Sequence, residues 1–379
     1  MHDILQDTIT LANLNPAAAA LAPQKKRPRA PRRTKAVRLV DVARLAGVST
    51  ATVSMVVNNH PRISPTTQRR VRRAVEKLGY RPNFSNQALG ARRSSVLSIL
   101  LPAQRHTFAD GYFGELLSGV CDQANVMGYT VMFERVSGDF TRARQHLALL
   151  EQRVAQGALL LGFSDYNKFV ADFDPQQHAV VVVDNAVDRA DLDFVGCDYR
   201  SGAEQAMTYL LQLGHRKIGL ITSAAGGRST QEIVDVYRSA MAQQGVRPGE
   251  GYVADGKFTE AGGTEAADEI LRRHPEVTAI LAASDTMAIG AIHGASKRGM
   301  SVPKDLSVVG IDDLRHAAFI SPALTTVRLP LHAVGARACE RLVERINGRT
   351  APTSDRLPAH LVLRDSVAMA RDLSAQSAA

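Results

Sequence analysis

Apolar residues recur at helical spacing in three short stretches near the start of the chain. The first stretch places Leu39, Val42, Ala43 and Ala46 at positions i, i+3, i+4 and i+7. These positions form one face of a helix. Gly47 then permits a sharp reversal, because glycine adopts the left-handed backbone conformation without strain. The pattern predicts a helix that ends at this glycine.

A second helix is predicted from Ser49, a favourable N-cap residue, to Asn58. At about 100° per residue, three valines share one narrow face of this helix. They are Val53, Val56 and Val57. Met55 lies on the opposite face, so a large apolar side chain stands where the helix is expected to meet water.

A third helix follows, in which Ser64 is the predicted cap, Pro65 suits the first helical position and Gly79 ends the helix. Its apolar stripe consists of Val71, Ala74, Val75 and Leu78. Together the three helices predict a small helix-turn-helix domain around one core. The spacing alone is moderately specific, because short helical hairpins also occur as plain packing units.

Beyond Ser94 the pattern changes to short, nearly continuous apolar runs such as "LSILLPA", "VVVVDN" and "LSVVGID", separated by helical stretches. Buried strands that alternate with helices are typical of doubly wound parallel sheets. The runs are too many for one sheet of ordinary size, so we expect two α/β lobes.

Charge separates the two parts of the chain. The 379 residues carry a formal net charge of +9, but the first 93 residues carry +14 and the remaining 286 carry −5. This asymmetry indicates a polyanionic partner for the N-terminal part, although basic surfaces are often only solvated. Residues 25–35, "KKRPRAPRRTK", lack large core-forming side chains. They predict a disordered arm that either binds phosphates without sequence preference or serves as a linker.

Other classes of protein find little support in the sequence. The apolar runs are shorter than the about 20 residues that span a bilayer, and the N-terminal segment has the wrong charge order for a secretory signal. We therefore expect a cytoplasmic chain with no membrane partner. Cys121, Cys197 and Cys339 lack metal-ligand spacing, and reduced thiols are expected. The glycine-rich "AAGGRST" is too weak for a nucleotide site, and we predict no catalytic residue, metal or cofactor.

The segment "LVDVARLAGVSTATVSMVVNNHPRISPTTQRRVRRAVEKLGYRPN", Leu39 to Asn83, resembles the DNA-binding headpiece of the LacI/GalR family of bacterial transcription regulators. The similarity continues to about Val367. The resemblance implies an all-α helix-turn-helix headpiece followed by an α/β, two-lobed, periplasmic-binding-protein-like domain with doubly wound parallel sheets. It further implies that the chain crosses between the lobes near Phe194 and Ser321 and that the helix from Leu331 returns to the first lobe. It also implies a repressor that binds a near-palindromic operator as a homodimer or larger homo-oligomer, answers to a small molecule and is not an enzyme.

The expected segments are a basic arm (1–35), the headpiece (36–82), a hinge (83–93), an effector-binding and dimerisation domain (94–368) and a disordered tail (369–379). Two rival classes share parts of this pattern. A sugar-binding transport protein has the two-lobed fold but needs an export signal and lacks the headpiece. An α/β enzyme needs a catalytic motif, and operator binding without ligand turnover would separate the three classes.

In the family the second helix enters the major groove. The matching positions are Thr50, Ala51 and Met55, which vary with operator sequence, and Thr52, Ser54 and Asn58, which contact phosphates or neighbouring bases. Many members carry arginine where this chain has Met55, and methionine offers a base only apolar contact, for example to a thymine methyl. The alternative is that Met55 packs back onto the headpiece or a dimer partner.

In the hinge, Asn83 matches the asparagine that begins the segment. Leu89 matches the leucine that wedges into the minor groove and kinks the DNA. Asn86 and Gln87 stand where alanine and arginine are common, so the neighbouring minor-groove contacts differ. The alternative role of Leu89 is an ordinary anchor onto the next domain.

The implied effector cleft lies at the strand ends between the lobes. Its expected residues are Tyr112, Phe113, Asp184, Ile233, Phe258, Ser284 and Asp312. The alternative for each carboxylate is a helix cap or a loop ion pair. The family favours a sugar or related metabolite as effector. Ile233 stands where many members have arginine, which favours a ligand less polar on that side, unless Arg228 or Arg238 supplies the guanidinium.

Overall fold

The computed structural model describes residues 39–57, 63–78, 95–103, 111–163, 168–185, 187–223, 226–246 and 251–371. The chain divides into two compact units, Met1–Gln87 and Ala88–Ala379. Of the predicted DNA-binding residues, Asn58, Asn83 and Leu89 lie outside the described residues.

The described residues of the first unit form three helices. They are α1 (Leu39–Ala46), α2 (Thr50–Val57) and α3 (Pro65–Leu78). The predicted caps are confirmed, because Ser49 Oγ accepts a hydrogen bond from Thr52 N (3.1 Å). Ser64 Oγ likewise accepts one from Thr67 N (3.4 Å). Gly47 has a φ of 59°, the left-handed conformation predicted for the reversal. The shared core consists of Val42, Ala43, Ala46, Val53, Val56, Val71 and Ala74.

In the described part of the chain, no single helix has the length and apolar composition to cross a membrane. Helix α1 and residues Thr50–Val56 of α2 together have the length and apolar composition of a membrane span, but the two helices are bent by 97° relative to each other. The apolar residues of this pair are largely those of the headpiece core.

The second unit alternates strands and helices along its described residues. The strands are β1 (Val96–Pro102), β2 (Thr130–Val136), β3 (Gly157–Leu161), β4 (Val180–Val183), β5 (Asp193–Cys197), β6 (Ile218–Thr222), β7 (Val253–Asp255), β8 (Ala279–Ala282), β9 (Ser307–Asp312), β10 (Thr325–Arg328), β11 (Ser354–Leu357) and β12 (His360–Val362). The helices are α4 (Gly111–Val126), α5 (Gly138–Arg142), α6 (Gln145–Glu151), α7 (Tyr199–Gln212), α8 (Gly227–Gln243), α9 (Glu260–Arg273), α10 (Asp285–Lys297) and α11 (Leu331–Ile346).

These strands form two six-stranded sheets, one in each lobe, which confirms the predicted architecture. The first sheet has the order β11-β5-β4-β3-β1-β2 and is parallel. The second has the order β12-β10-β9-β8-β6-β7, and only its edge strand β12 is antiparallel. The carboxyl ends of parallel strands share one edge of a sheet. Asp184 directly follows β4 and Asp312 ends β9, so both predicted cleft carboxylates lie at such edges.

The chain passes between the lobes three times. It leaves the first lobe after β5, close to the predicted crossing at Phe194, returns between β10 and α11, and crosses again between β11 and β12. The predicted crossing near Ser321 was wrong, because β10 extends the second sheet as far as Arg328. The return of the helix that starts at Leu331 is confirmed, since α11 packs on α4 of the first lobe.

Helices α4 and α11 touch backbone to backbone. A Cβ atom added at Gly119 would lie 1.9 Å from His332 O, and one added at Gly335 would lie 2.1 Å from Leu116 O. Only glycine fits at this crossing, so the two helices seal one face of the first sheet at close range. The three cysteines are free thiols, as predicted.

Candidate functional site

Helix α2 presents two distinct faces. Val53 and Val56 are buried, which confirms the predicted core face, while the side chain of Val57 lies outside the described structure. Ala51 is exposed and Met55 is half-buried. The partial burial of Met55 is compatible both with contact to a base and with packing onto the headpiece. Helix α2 carries no charged side chain, so ion pairs to phosphates must come from other elements.

The N-terminus of α2 combines free backbone donors with small polar side chains. Thr50 is exposed, while Thr52 and Ser54 are half-buried. Thr52 Oγ1 lies 2.9 Å from Ser49 Oγ, so its hydroxyl belongs to the capping interaction. A phosphate at this end of the helix would meet backbone N–H groups as well as these hydroxyls.

Asp184 is the centre of a buried polar cluster in the first lobe. It directly follows β4 with a φ of 66°, a conformation that Asp tolerates better than most residues. Asp184 Oδ1 accepts a hydrogen bond from Cys197 N (3.1 Å). Its Oδ2 accepts hydrogen bonds from Tyr199 Oη (2.5 Å) and from Tyr112 Oη. The predicted ligand-binding carboxylate is thus already engaged by two phenols.

The two phenols remain hydrogen-bond donors at all ordinary pH values. Burial, followed by the charge of Asp184, raises the pKa of Tyr112 and Tyr199 well above the ordinary value. Phe113 packs beside Tyr112 with ring centroids 5.2 Å apart and planes 89° apart. Tyr112, Phe113 and Asp184, three of the predicted cleft residues, lie together with Tyr199 in one wall of aromatic rings around the carboxylate.

Tyr199 was not predicted, although it is central to this wall. It is the first residue of α7, and α7 belongs to the second lobe, whereas Asp184 and Tyr112 belong to the first. Asp184 therefore ties the segment that crosses between the lobes to α4. Tyr199 could have been predicted from its position, because it closely follows the buried strand β5, where the chain leaves the first sheet.

In the second lobe, the predicted residues have different surroundings. Ser284 is the N-cap of α10, and its Oγ accepts a hydrogen bond from Met287 N (3.2 Å). Asp312 is buried, with a φ of 125° at the end of β9. Phe258 has a φ of 54° and is 37% exposed, so its ring is open to a ligand. Backbone conformations with positive φ often mark functional positions in non-glycine residues.

Asp285 is a further buried carboxylate that the sequence did not predict. It accepts hydrogen bonds from Leu314 N (2.7 Å) and Thr326 Oγ1 (2.5 Å). Burial, with a smaller contribution from the charge of Asp313, raises its pKa to about 7 against the opposing effect of these hydrogen bonds. Leu314 also packs against the start of α4, where it lies 3.4 Å from a Cβ placed at Gly111. Asp285 thus fixes a loop of the second lobe that meets the first.

Ile233 does not occupy the open cleft position expected of it. Its side chain is 1% exposed and belongs to the apolar core of the second lobe. Arg228, one of the two alternatives for a guanidinium, lies where the lobes meet. Its backbone N donates to Asn185 Oδ1 (3.1 Å), and its guanidinium lies 3.5 Å from Asp188. Arg228, rather than the buried Ile233, therefore places a guanidinium at the lobe boundary.

A second contact joins the lobes on another side. Arg356 of β11 forms an ion pair with Glu232 of α8 (3.0 Å). Its guanidinium also lies 5.4 Å from the centre of the Phe194 ring. The described residues contain no group of three or more His, Cys, Asp or Glu side chains that could hold a metal ion. These contacts place buried carboxylates and aromatic side chains where the two lobes meet.

Comparison with known proteins gives matches to both units. A family model described as "Bacterial regulatory proteins, lacI family" matches residues 38–83, and one described as "Periplasmic binding protein-like domain" matches residues 207–367. The HTH-type transcriptional repressor PurR of Vibrio cholerae serotype O1 (strain M66-2) is 30% identical over 323 residues. That match covers 82% of this chain and 91% of the Vibrio protein.

Two solved structures are similar over nearly their whole length. The transcriptional regulator CelR in complex with cellobiose is 31% identical with a TM-score of 0.67, over 87% of this chain and 99% of CelR. The lac repressor dimer bound to operator and the anti-inducer ONPF has a TM-score of 0.79 at 24% identity, over 88% of this chain and 100% of the repressor chain. The latter similarity concerns the fold alone.

Proposed function

This chain belongs to the LacI family of bacterial regulatory proteins, and we propose that it is a repressor that binds a near-palindromic operator as a homodimer under small-molecule control. At the family level it is a DNA-binding transcriptional regulator with an effector-binding C-terminal domain, and it is not an enzyme. One observation carries the proposal of sequence-specific DNA binding. Helix α2 has an uncharged, partly exposed face, and its own N-terminus is capped by Ser49.

We assign base reading to Thr50, Ala51 and Met55, and phosphate or neighbouring-base contacts to Thr52, Ser54 and Asn58. In the hinge, Asn83 begins the segment and Leu89 is the proposed minor-groove wedge. The proposed boundaries are the headpiece at 36–82, the hinge at 83–93 and the effector domain at 94–368, between a basic arm (1–35) and a tail (369–379). The division of the chain between Gln87 and Ala88 falls within the proposed hinge.

A dimer is proposed because two-fold symmetry of a protein requires matching half-sites on the DNA. The lac repressor with the similar fold is a dimer on its operator. A headpiece of three short helices offers one reading helix, which contacts only a few base pairs. Two linked headpieces double the number of bases read.

The proposed effector is a sugar or related metabolite whose polar end meets Asp184 and Asp312. CelR, which is 31% identical, has a solved structure in complex with cellobiose. Tyr112 and Tyr199 already satisfy Asp184, so a ligand hydroxyl must either displace a phenol or bind at the rim of the cluster. Phe258 and Phe113 supply apolar walls, and Ser284 with Arg228 completes the polar rim. Ile233 is left as a core residue on the buried face of α8.

The experiment that tests this function is selection of bound duplexes from a random library by the full-length chain. We expect enrichment of a near-palindrome with a central step that is easily kinked. Candidate metabolites are then added to the selected duplex, and binding is measured again. Failure to enrich any sequence, or enrichment of a motif without two-fold symmetry, would contradict the proposal of a dimeric repressor.

A further inference from the structure

The positive charge of the described headpiece is concentrated on α3, away from the reading helix. Five of its six basic residues are on this helix, and all five are exposed. They are Arg69, Arg70, Arg72, Arg73 and Lys77. The sole acid of α3 is Glu76, and α2 has no charged residue at all. The headpiece therefore separates the helix that meets bases from the helix that carries charge.

These basic residues fall on two flanks of α3. The buried face is fixed by Val71 and Ala74. At about 100° per residue, Arg70, Arg73 and Lys77 lie on one flank at positions i, i+3 and i+7. Arg69 and Arg72 lie toward the other flank, and Glu76 lies between them. One flank thus carries cations only, whereas a carboxylate partly neutralises the other.

We propose that the α3 cationic flank, defined as Arg70, Arg73 and Lys77, binds the phosphate backbone of DNA outside the bases that α2 reads. This inference rests on the proposed DNA-binding function and adds a second contact surface to it. The three residues span seven positions, or about 10 Å of helix. That length corresponds to about three phosphates of one strand, at about 3.4 Å of duplex axis per phosphate.

Phosphate is the partner that fits this chemistry. Arginine presents a planar fork of donors to phosphate oxygens, and lysine contributes a mobile point charge. Since α2 is uncharged, it contributes hydrogen bonds and apolar contacts but no counterion release. Cationic residues outside α2 must supply the salt-dependent part of the affinity, and on the described headpiece most of them lie on α3. Such contacts carry no sequence information and leave base preference to α2.

The test compares two double variants of the full-length chain that remove equal charge from opposite flanks. Arg70→Gln with Lys77→Gln removes two of the three cations of the flank, and Arg69→Gln with Arg72→Gln is the matched control. Affinity for a 30-base-pair mixed-sequence duplex and for the selected operator is measured by fluorescence anisotropy between 50 and 200 mM salt. Thermal unfolding of both variants checks that the headpiece is intact.

We expect the flank variant to reduce the slope of log affinity against log salt by about 1.8 per bound headpiece, since each lost phosphate contact changes it by about 0.9. Between 50 and 200 mM salt, its affinity should therefore fall about tenfold less than that of the wild type. The control variant should change the slope by less than half as much. The operator motif selected by the flank variant should be unchanged.

Three results would overturn this inference. They are an unchanged slope in the flank variant, equal slopes in both variants, and an altered operator motif. Equal slopes would mean that the charges of α3 attract DNA without one flank contacting the phosphates. An altered motif would mean that the flank contacts bases. Absence of wild-type binding to both duplexes would instead contradict the proposed function itself, so the two failures are distinguishable.

Discussion

At the scale of single residues, Met55 is where side-chain chemistry most directly decides which DNA is recognised. We expect Met55→Arg to shift the preference at one position of each half-site toward guanine. A bidentate pair to guanine favours that base by roughly 1 to 3 kcal/mol, whereas methionine offers only apolar contact. Selection of bound sequences with wild type and variant measures the shift.

Met55→Leu is the matched control, because it keeps an apolar side chain of similar volume. It should retain the wild-type motif. An unchanged motif in Met55→Arg would instead support the alternative in which residue 55 packs onto the headpiece, in agreement with its half-buried position.

Asp285 gives the second lobe a predicted pH dependence. Burial raises the pKa of Asp285 from 3.8 to about 7 in the folded chain. Between pH of about 4 and about 7 the unfolded carboxyl ionises while the folded one stays protonated. The free energy of unfolding therefore falls as the pH rises through this window, by up to about 1.4 kcal/mol per pH unit from this group. The stabilising contribution is fully present below pH of about 4.

Asp285→Asn removes the titration and can keep both contacts, because its carbonyl accepts from Leu314 N and its amide donates to Thr326. Relative to wild type, we expect the variant to gain stability as the pH rises from about 4 to about 7. Urea unfolding across this range measures the difference. Asp235→Asn, at an exposed position of α8, is the control, and a parallel pH profile for all three proteins would contradict the assignment.

At the scale of elements, the crossing of α4 and α11 depends on glycine. We expect Gly119→Ala to destabilise the first lobe by about 1 to 3 kcal/mol, because the added methyl group meets the backbone of α11 and one helix must move. Gly114→Ala on the same helix is the matched control. Nothing lies within 4 Å of a Cβ at Gly114, so this change should be neutral or stabilising by up to about 1 kcal/mol.

Thermal or urea unfolding of the two variants separates steric conflict from helix propensity. Equal effects of the two substitutions would show that the close approach of the helices does not determine stability. Since α4 also carries Tyr112, a shift of α4 in Gly119→Ala should weaken the contact between Tyr112 and Asp184.

At the scale of the whole molecule, effector binding and operator binding must influence each other by the same factor. We expect a metabolite that raises the unfolding temperature of the full-length chain to change its operator affinity as well. The screen covers sugars, sugar acids, nucleobases and aromatic metabolites. Asp184→Ala should remove the stabilisation, because Asp184 joins both lobes through Tyr112 and Tyr199.

Asp188→Ala is a control near the same lobe boundary, since Asp188 is exposed and lies 3.5 Å from Arg228. Strong stabilisation by an unmodified monosaccharide that survives Asp184→Ala would contradict the proposed pocket. Stabilisation without any change in operator affinity would contradict the proposed regulation but not the pocket.

The sequence by itself determined the headpiece and the fold class, because their signals act over a few residues. At the caps, Ser49 and Ser64 each accept a hydrogen bond from the backbone N–H three residues later in the chain. Gly47 supplies the left-handed backbone conformation that the reversal after α1 needs. Continuous buried strands such as β4 likewise identify a parallel sheet from composition and length alone. These features were predicted correctly because the residues that signal each of them lie within a few positions of one another, whichever elements later pair with them.

Only the tertiary structure decided the partners of the cleft residues. Asp184 meets Tyr112, 72 residues away, and Tyr199, 15 residues away, because α4 and the lobe crossing pack against the end of β4. Ile233 became a core residue because the packing of α8 turns that face inward. The orientation of a helix against a sheet is set by many weak contacts summed over both elements. No local pattern encodes which distant side chain such packing brings to a given carboxylate.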